Sequence, residues 1–421
     1  MEHKIDPRSI ALPQASAMIS AISSCVHCGF CLPTCPTYQV LEEEMDSPRG
    51  RIVLMRGVLE GSLEVSDATP YLDRCLGCLG CVTACPSGVQ YGELITGFRA
   101  FASRKQHHGL ATRLLDRLIH ETLPYPNRFR WAMRLARAFL PLRALFPRPL
   151  RVMLDLVPQH LPSQDRIPQY NPAEGKSRGK VGLLVGCVQQ VLAPEINAST
   201  IRVLSANGFD VIVPSGQSCC GALGMHTGNL EAAQHLAARN FSLFPEGLDA
   251  IITNAAGCGS CIGEYGLLYR GTAREEAASK FAAQVKDLTE FLHLHELVPM
   301  SSPGENLRVA MHDACHLTHA QGIHSAPRAL IRQIPGLKLV DVPDGEICCG
   351  SAGTYNLQQP EIAAELGAKK ARAIAALGVD IVVMGNIGCM VQIRKYLDQL
   401  APGRKIQVMH TSELLALGYP R

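Results

Sequence analysis

The chain has 421 residues, 47% hydrophobic and 18% charged, with a formal net charge of +3. It is long enough for two to four domains with a sizeable buried core. Aromatic residues are only 5% and no long basic tract interleaves with them, which argues against a nucleic-acid partner.

The first region, residues 1–110, holds the most regular pattern. Cys25, Cys28, Cys31 and Cys35 follow C-x2-C-x2-C-x3-C with Pro36 next, and Cys75, Cys78, Cys81 and Cys85 repeat that spacing with Pro86 next. Three closely spaced thiolates fold around one face of an iron–sulfur cubane. The fourth, set off by three residues and a proline, points toward a second site, so each run lends its last cysteine to the other cluster. The expected ligand sets for two [4Fe–4S] clusters are Cys25, Cys28, Cys31 and Cys85 for the first, and Cys75, Cys78, Cys81 and Cys35 for the second. Zinc would need one closed set of four ligands and gives no reason for the trailing proline. Gly29, Gly77 and Gly80 suit tight loops that turn amide N–H groups toward the sulfurs. The 39 residues between the runs include Ser47-Pro48-Arg49-Gly50-Arg51, a helix start, and make this a mainly helical ferredoxin domain. Arg49 and Arg51 are read either as screening the clusters or as ordinary surface salt bridges.

Residues 111–178 form an Arg/Pro-rich helical connector without cysteine. From Arg128 to Arg151 there are seven arginines and no acidic residue, interspersed with Trp131, Met133, Leu135, Phe139, Leu142, Leu145 and Phe146. Pro141, Pro147 and Pro149 break any single long helix. A basic amphipathic stretch of this kind suits an anionic membrane surface, a docking face for other subunits, or a solvated linker with one half-buried face.

The remainder reads as a duplication, residues 179–305 and 306–421. Apolar runs at Val181–Val185 and Leu307–Met311 lead to Cys187 and Cys315. Second runs, Phe209–Val213 and Leu337–Val342, lead to Cys219-Cys220-Gly221 and Cys348-Cys349-Gly350. Helical stretches follow, Leu230–Phe244 and Glu361–Leu377. Third runs, Ala250–Thr253 and Ile381–Met384, lead to Cys258 and Cys389. Alternating strands and helices predict two tandem α/β half-domains with mainly parallel sheets, so the whole chain is expected to be mixed α/β. Such sheets carry functional groups at the carboxyl ends of their strands, where these cysteines fall.

In the first copy Cys187, Cys219, Cys220, Cys258 and Cys261 form a five-thiol set, read as candidates for a third cluster. The second copy has Cys315, Cys348, Cys349 and Cys389, with Gln392 where its last cysteine would stand. Adjacent cysteines are poor disulfide partners, whereas metal ligation needs no such geometry. Buried free cysteine is the bland alternative, but it leaves the repetition unexplained. His312, His316 and His319 cluster around Cys315, with His226 and His410 near comparable turns. They are read as structural histidines in preference to ligands or proton carriers.

Seventeen cysteines, an odd number, cannot all pair internally. Met1 to Gln14 lack a basic segment followed by an apolar core, so no secretory signal is expected, and no apolar run is long enough to span a bilayer as a helix. A cytoplasmic protein using cysteine for metal or redox chemistry is expected, in peripheral contact with the cytoplasmic face of the inner membrane if the connector binds lipid. No dinucleotide fingerprint, P-loop or nucleophile elbow appears, and no catalytic residue is assigned. Clusters pass single electrons, whereas a hydride donor needs a two-electron acceptor such as a flavin, which is therefore expected on another polypeptide.

Together these residues resemble the iron–sulfur subunit of bacterial glycolate oxidase (glycolate dehydrogenase) over nearly the whole chain. The resemblance runs through Asp46-Ser47-Pro48-Arg49-Gly50-Arg51-Ile52, Gly57-Val58-Leu59-Glu60-Gly61, Gly186-Cys187-Val188-Gln189, Asp341-Val342-Pro343-Asp344, Cys348 to Tyr355 and Asn386-Ile387-Gly388-Cys389, besides the two ferredoxin runs. It implies an oxidoreductase assembly in which flavin-containing and accessory subunits oxidise glycolate to glyoxylate and this subunit carries electrons toward membrane quinone. The Cys-Cys-Gly units are shared with lactate-utilisation proteins, a glycerol-3-phosphate dehydrogenase subunit and heterodisulfide reductases, which supply the alternative readings. The chain departs from the family in one respect: members often lack the cysteine found here at Cys261.

Overall fold

A computed structural model describes residues 3–105, 109–146, 148–158, 160–163, 166–304 and 306–419. The N-terminal region is helical. Ala15–Ser24, Pro36–Leu41, Pro48–Leu59, Val65–Asp73 and Tyr91–Lys105 surround a core that includes Met18, Ile22, Met55, Leu94 and Phe98, each fully buried. The expected helix start is found at Ser47, whose hydroxyl accepts from the Gly50 amide at 3.0 Å while Pro48 takes the first helical position. Ala15–Ser24 and Tyr91–Lys105 pack closely because Gly97 has no side chain: a Cβ there would meet the Met18 sulfur at 2.7 Å.

The connector is a run of short helices, Leu110–Thr122, Pro126–Phe139, the 3-10 turn Leu140–Leu145 and Arg148–Leu154. Pro141 falls in the 3-10 turn, so the long helix ends where the ring forbids its continuation. Among the described residues no helix is long and apolar enough to cross a membrane.

The C-terminal region contains two sheets. The first comprises β1 (Tyr170–Asn171), β2 (Gly179–Leu184), β3 (Phe209–Ile212), β4 (Ala250–Thr253) and β5 (Val285–Asp287), in the order β1-β3-β2-β4-β5 with only β1 antiparallel. The second comprises β6 (Leu307–Met311), β7 (Leu337–Asp341), β8 (Ile381–Met384) and β9 (Gln407–His410), in the order β7-β6-β8-β9 and wholly parallel. The four parallel strands therefore repeat one topology, with β3-β2-β4-β5 matching β7-β6-β8-β9. The mixed α/β fold is as the sequence indicated, and the strands pairing the two repeats coincide with the apolar runs to within a residue or two. The strands β1, β5 and β9 were not anticipated.

The two sheets share one core. Val181, Leu183, Val211 and Ile252 join Val309, Met311, Ile381 and Val383 in a single buried cluster. The closing helix of the second repeat, Thr411–Leu417, reaches back to the first, where the Ser412 hydroxyl donates to the Ile196 carbonyl at 3.2 Å. The two repeats thus support each other's buried faces. Their cysteine-bearing turns lie at the carboxyl ends of the parallel strands.

Candidate iron–sulfur sites

All seventeen cysteines are free thiols, and they gather in four groups. Cys25, Cys28, Cys31 and Cys85 line one pocket, which Cys81 also borders. The loop carrying it has His27 and Gly29 in the left-handed region, at φ 56° and 87°, which wraps the backbone tightly behind the thiols. Cys28 is exposed, and Val26 and Phe30 beside it are 66% and 65% exposed. Arg49 binds Glu44 at 2.6 Å and donates to the His27 carbonyl at 3.2 Å, tying the loop to the next helix. Burial pushes the Cys31 thiol up to about 11, a cost that bonding to iron would offset.

A second pocket is lined by Cys35, Cys75, Cys78 and Cys81. The two pockets therefore draw on both sequence runs, with Cys85 beside the first run and Cys35 beside the second. Polar donors converge on the second group. The Tyr91 hydroxyl donates to the Cys75 sulfur at 3.7 Å, the Gly77 amide to the same sulfur at 3.4 Å, and Arg51 to the Cys35 sulfur at 3.8 Å. Burial opposes the Cys75 thiolate, but the Arg51 and Arg99 guanidiniums outweigh it and hold this thiol below its ordinary value. Burial pushes Cys78 and Cys81 well up. An anionic thiolate-bound cubane requires such a setting, with amide, hydroxyl and guanidinium donors aimed at sulfur. Arg51 is no surface salt bridge: it is 1% exposed and shares its charge between Asp46, Thr37 and the thiols. Gly77 takes positive φ as the tight-loop reading expected, whereas at the next turn Leu79 holds the left-handed conformation and Gly80 opens a helix.

The first repeat brings its five cysteines together. The Cys187 sulfur lies 3.4 Å from that of Cys219, and Cys220 adjoins both Cys258 and Cys261. Cys261 also meets the Met225 sulfur at 3.3 Å, and the Tyr265 hydroxyl fixes the Cys220 carbonyl at 2.6 Å. The second repeat chains Cys315 to Cys348, Cys348 to Cys349 and Cys349 to Cys389. Asn386 donates to Cys389 at 3.6 Å. His312 adjoins the chain of thiols: its nitrogen and the sulfurs of Cys349 and Cys389 all lie within 4.8 Å of one another.

The other histidines make hydrogen bonds and ring contacts within the fold. The His316 ring lies 2.9 Å from the Gly77 carbonyl and stacks on His226 at 5.5 Å. His319 meets Thr83 at 2.8 Å. His410 caps the last helix, its ring 2.8 Å from the Ser412 hydroxyl. His316 and His319 thereby clamp the Cys75–Cys85 loop onto the second repeat, and the Tyr355 hydroxyl adds a bond to the Arg74 carbonyl at 2.8 Å. Cys78 faces Cys315 across this junction. The sequence held no signal for this contact, because it joins residues more than two hundred positions apart.

Residues 21–89 match the 4Fe-4S dicluster domain, and residues 181–263 and 309–394 each match the cysteine-rich CCG domain. A helical dicluster domain clamped to duplicated cysteine-rich α/β repeats defines an iron–sulfur oxidoreductase subunit. The chain is 33% identical over 412 residues to a probable glycolate oxidase iron–sulfur subunit of Bacillus subtilis, covering 93% of each. It is 34% identical over 401 residues to the glycolate oxidase iron–sulfur subunit of Escherichia coli, covering 94% of each. A fumarate reductase (CoM/CoB) subunit of Methanothermobacter marburgensis is 29% identical over 406 residues, covering 94% of this chain and 72% of that one. The chain belongs to the glycolate oxidase iron–sulfur subunit family.

Proposed function

We propose that this chain is the electron-transfer subunit of a glycolate-oxidising complex, with the flavin on a partner subunit and quinone as the final acceptor. Oxidation of glycolate to glyoxylate releases two electrons and two protons. A flavin takes both electrons, and each cluster relays one at a time. Two such transfers, with two protons taken up by quinone, complete the turnover. Residues 1–110 form the dicluster domain, 111–178 the connector, and 179–305 and 306–421 the two repeats. Cys25, Cys28, Cys31 and Cys85 hold one [4Fe–4S] cluster, and Cys75, Cys78, Cys81 and Cys35 the other. Cys187, Cys219, Cys220, Cys258 and Cys261 hold a third. The complex works in the cytoplasm, against the inner membrane.

The observation that carries this reading is the asymmetry of the two dicluster pockets. The first has an exposed cysteine flanked by exposed Val26 and Phe30, an edge a partner can approach. The second packs against the second repeat, where Leu76 and Cys78 join Cys315, Cys348 and Tyr355. Hydride removal is assigned to the partner in this reading because clusters pass single electrons, whereas a hydride donor needs a two-electron acceptor.

The test is anaerobic purification with its partners, followed by glycolate and lactate oxidation assays with a quinone acceptor. Cys28→Ala should remove one cluster and stop quinone reduction while leaving flavin reduction by glycolate intact. Undiminished quinone reduction in that variant would refute the relay.

A further inference from the structure

We propose that His312 is a metal ligand, bonded together with Cys349 and Cys389 to one metal atom in the second repeat, where it replaces the cysteine missing at Gln392. Three observations carry this.

The first is geometric. One nitrogen of His312 and the sulfurs of Cys349 and Cys389 lie within 4.8 Å of one another, and all three residues are buried. Bonds of about 2.0–2.3 Å around a tetrahedral metal place donor atoms about 3.3–3.8 Å apart, so small movements bring this trio onto one atom. Cys315 and Cys348 continue the same chain of thiols and supply what remains of the coordination.

The second is a poorly met polar group. His312 is 1% exposed, and neither ring nitrogen meets a nitrogen or oxygen partner; the polar group it faces is the Cys349 thiol. An imidazole buried with only a weakly hydrogen-bonding thiol beside it recovers little of its desolvation penalty. The burden is not shared by its neighbours: Gln392 is satisfied, donating to the Ala363 carbonyl at 2.8 Å and the Cys349 carbonyl at 3.3 Å, with Asn356 on its oxygen at 3.4 Å. Coordination to a metal shared with that thiol supplies a strong partner for one His312 nitrogen.

The third is the exchange between repeats. His312 stands three residues before Cys315, and the equivalent position before Cys187 is Leu184. Gln392 stands three residues after Cys389, and the equivalent position after Cys258 is Cys261. Leu184 packs in the same buried cluster as Cys219, Cys220 and Cys261. Each repeat therefore has five soft or borderline donors, drawn from different positions: Cys261 with Leu184 in one, His312 with Gln392 in the other. Imidazole and thiolate together suit a borderline metal, as a lone zinc ion or as an iron of a cluster. This assignment does not depend on the substrate of the complex.

The experiment compares the full-length protein, purified anaerobically, with His312→Leu and with His312→Leu/Gln392→Cys. The expected result is loss of one metal centre in His312→Leu, with the EPR signals of the two N-terminal clusters retained, and its return in the double variant. Loss of zinc without sulfide identifies a lone ion; joint loss of iron and sulfide identifies a cluster. An unchanged metal and sulfide content in His312→Leu overturns the proposal. A second measurement needs no variant: zinc-edge absorption, or nitrogen coupling by pulsed EPR where the metal is iron, should detect imidazole in the wild-type centre. All-sulfur ligation there would equally overturn it.

Discussion

Arg51 binds Asp46 at 3.1 Å with both side chains 1% exposed, and the same guanidinium reaches the Cys35 sulfur. A buried cation is held here by a carboxylate on one side and thiols on the other, so its charge serves both folding and the second pocket. Arg74 also contacts Asp46, at 2.8 Å, and keeps it from being left unpaired. Replacing Arg51 with Met should cost roughly 3 kcal/mol of stability, at the low end for breaking a buried pair. Removal of the positive charge should also make the second cluster harder to reduce. Arg51→Lys, which keeps the charge but loses the fork, should retain most of the potential and less of the stability. Thermal unfolding and an EPR-monitored redox titration of both variants would separate the two effects. An unshifted potential in Arg51→Met would show that its charge is screened from the cluster.

The crossing of the two cysteine runs is open to a direct test. Cys85 lines the pocket of Cys25, Cys28 and Cys31, and Cys35 lines that of Cys75 and Cys78. Cys85→Ala should therefore perturb the first-run cluster, although Cys85 belongs to the second run by sequence, and Cys35→Ala should perturb the second. EPR of each variant, compared with Cys28→Ala and Cys78→Ala, assigns the signals. Pairing of the Cys85→Ala spectrum with that of Cys78→Ala would contradict the crossing.

Much of this architecture was legible in the chain because its signals are local. The C-x2-C-x2-C-x3-C-P spacing puts three thiols on one loop, and short β-branched apolar runs such as Ile381–Met384 suit fully buried strands. The strands without such a signal, β1, β5 and β9, are two to four residues long and carry Asn171, Lys286 or Gln407, so no apolar run marks them. The site features that escaped notice are all nonlocal. Arg51 was as plausible on the surface as in the core until Asp46, Thr37 and Tyr71 closed around it. His312 differed in no visible way from His316, yet one faces thiols and the other the Gly77 carbonyl, a choice set by which side of the turn after β6 each occupies.

Glu264 gives the fold a pH dependence. Burial, reinforced by the nearby Glu93 charge, pushes its carboxyl up to about 7. An unfolded glutamate titrates near about 4.3, so between these values the native state holds a proton that the unfolded state has released. The folded protein is thereby penalised as pH rises through this interval, and the penalty is complete above about 7. Glu264→Gln should raise the unfolding temperature at pH 8, by the equivalent of about 1–3 kcal/mol, and have little effect at pH 5. Equal effects at both pH values would assign the change to packing.

The connector presents the largest run of unpartnered apolar side chains among the described residues. Leu114, Leu118, Trp131, Leu135, Leu142 and Leu145 are all exposed, the last at 80%, and the Arg134 guanidinium lies over the Trp131 ring at 5.2 Å. Arg130 does not belong to this face, because it is buried and donates to the Pro162 carbonyl at 2.9 Å. The arginines to test are therefore Arg134 and Arg137. Apolar side chains flanked by cations suit an anionic bilayer surface, where each arginine contributes about 1 kcal/mol. The double replacement Arg134→Gln/Arg137→Gln should weaken binding to phosphatidylserine vesicles by about 2 kcal/mol, roughly thirtyfold. Wild-type binding should fall as salt rises, while Trp131→Ala should weaken binding at every salt concentration. Vesicle binding that ignores all three changes would leave this face to the partner subunits. In that case the same variants should fail to co-purify with the flavoprotein.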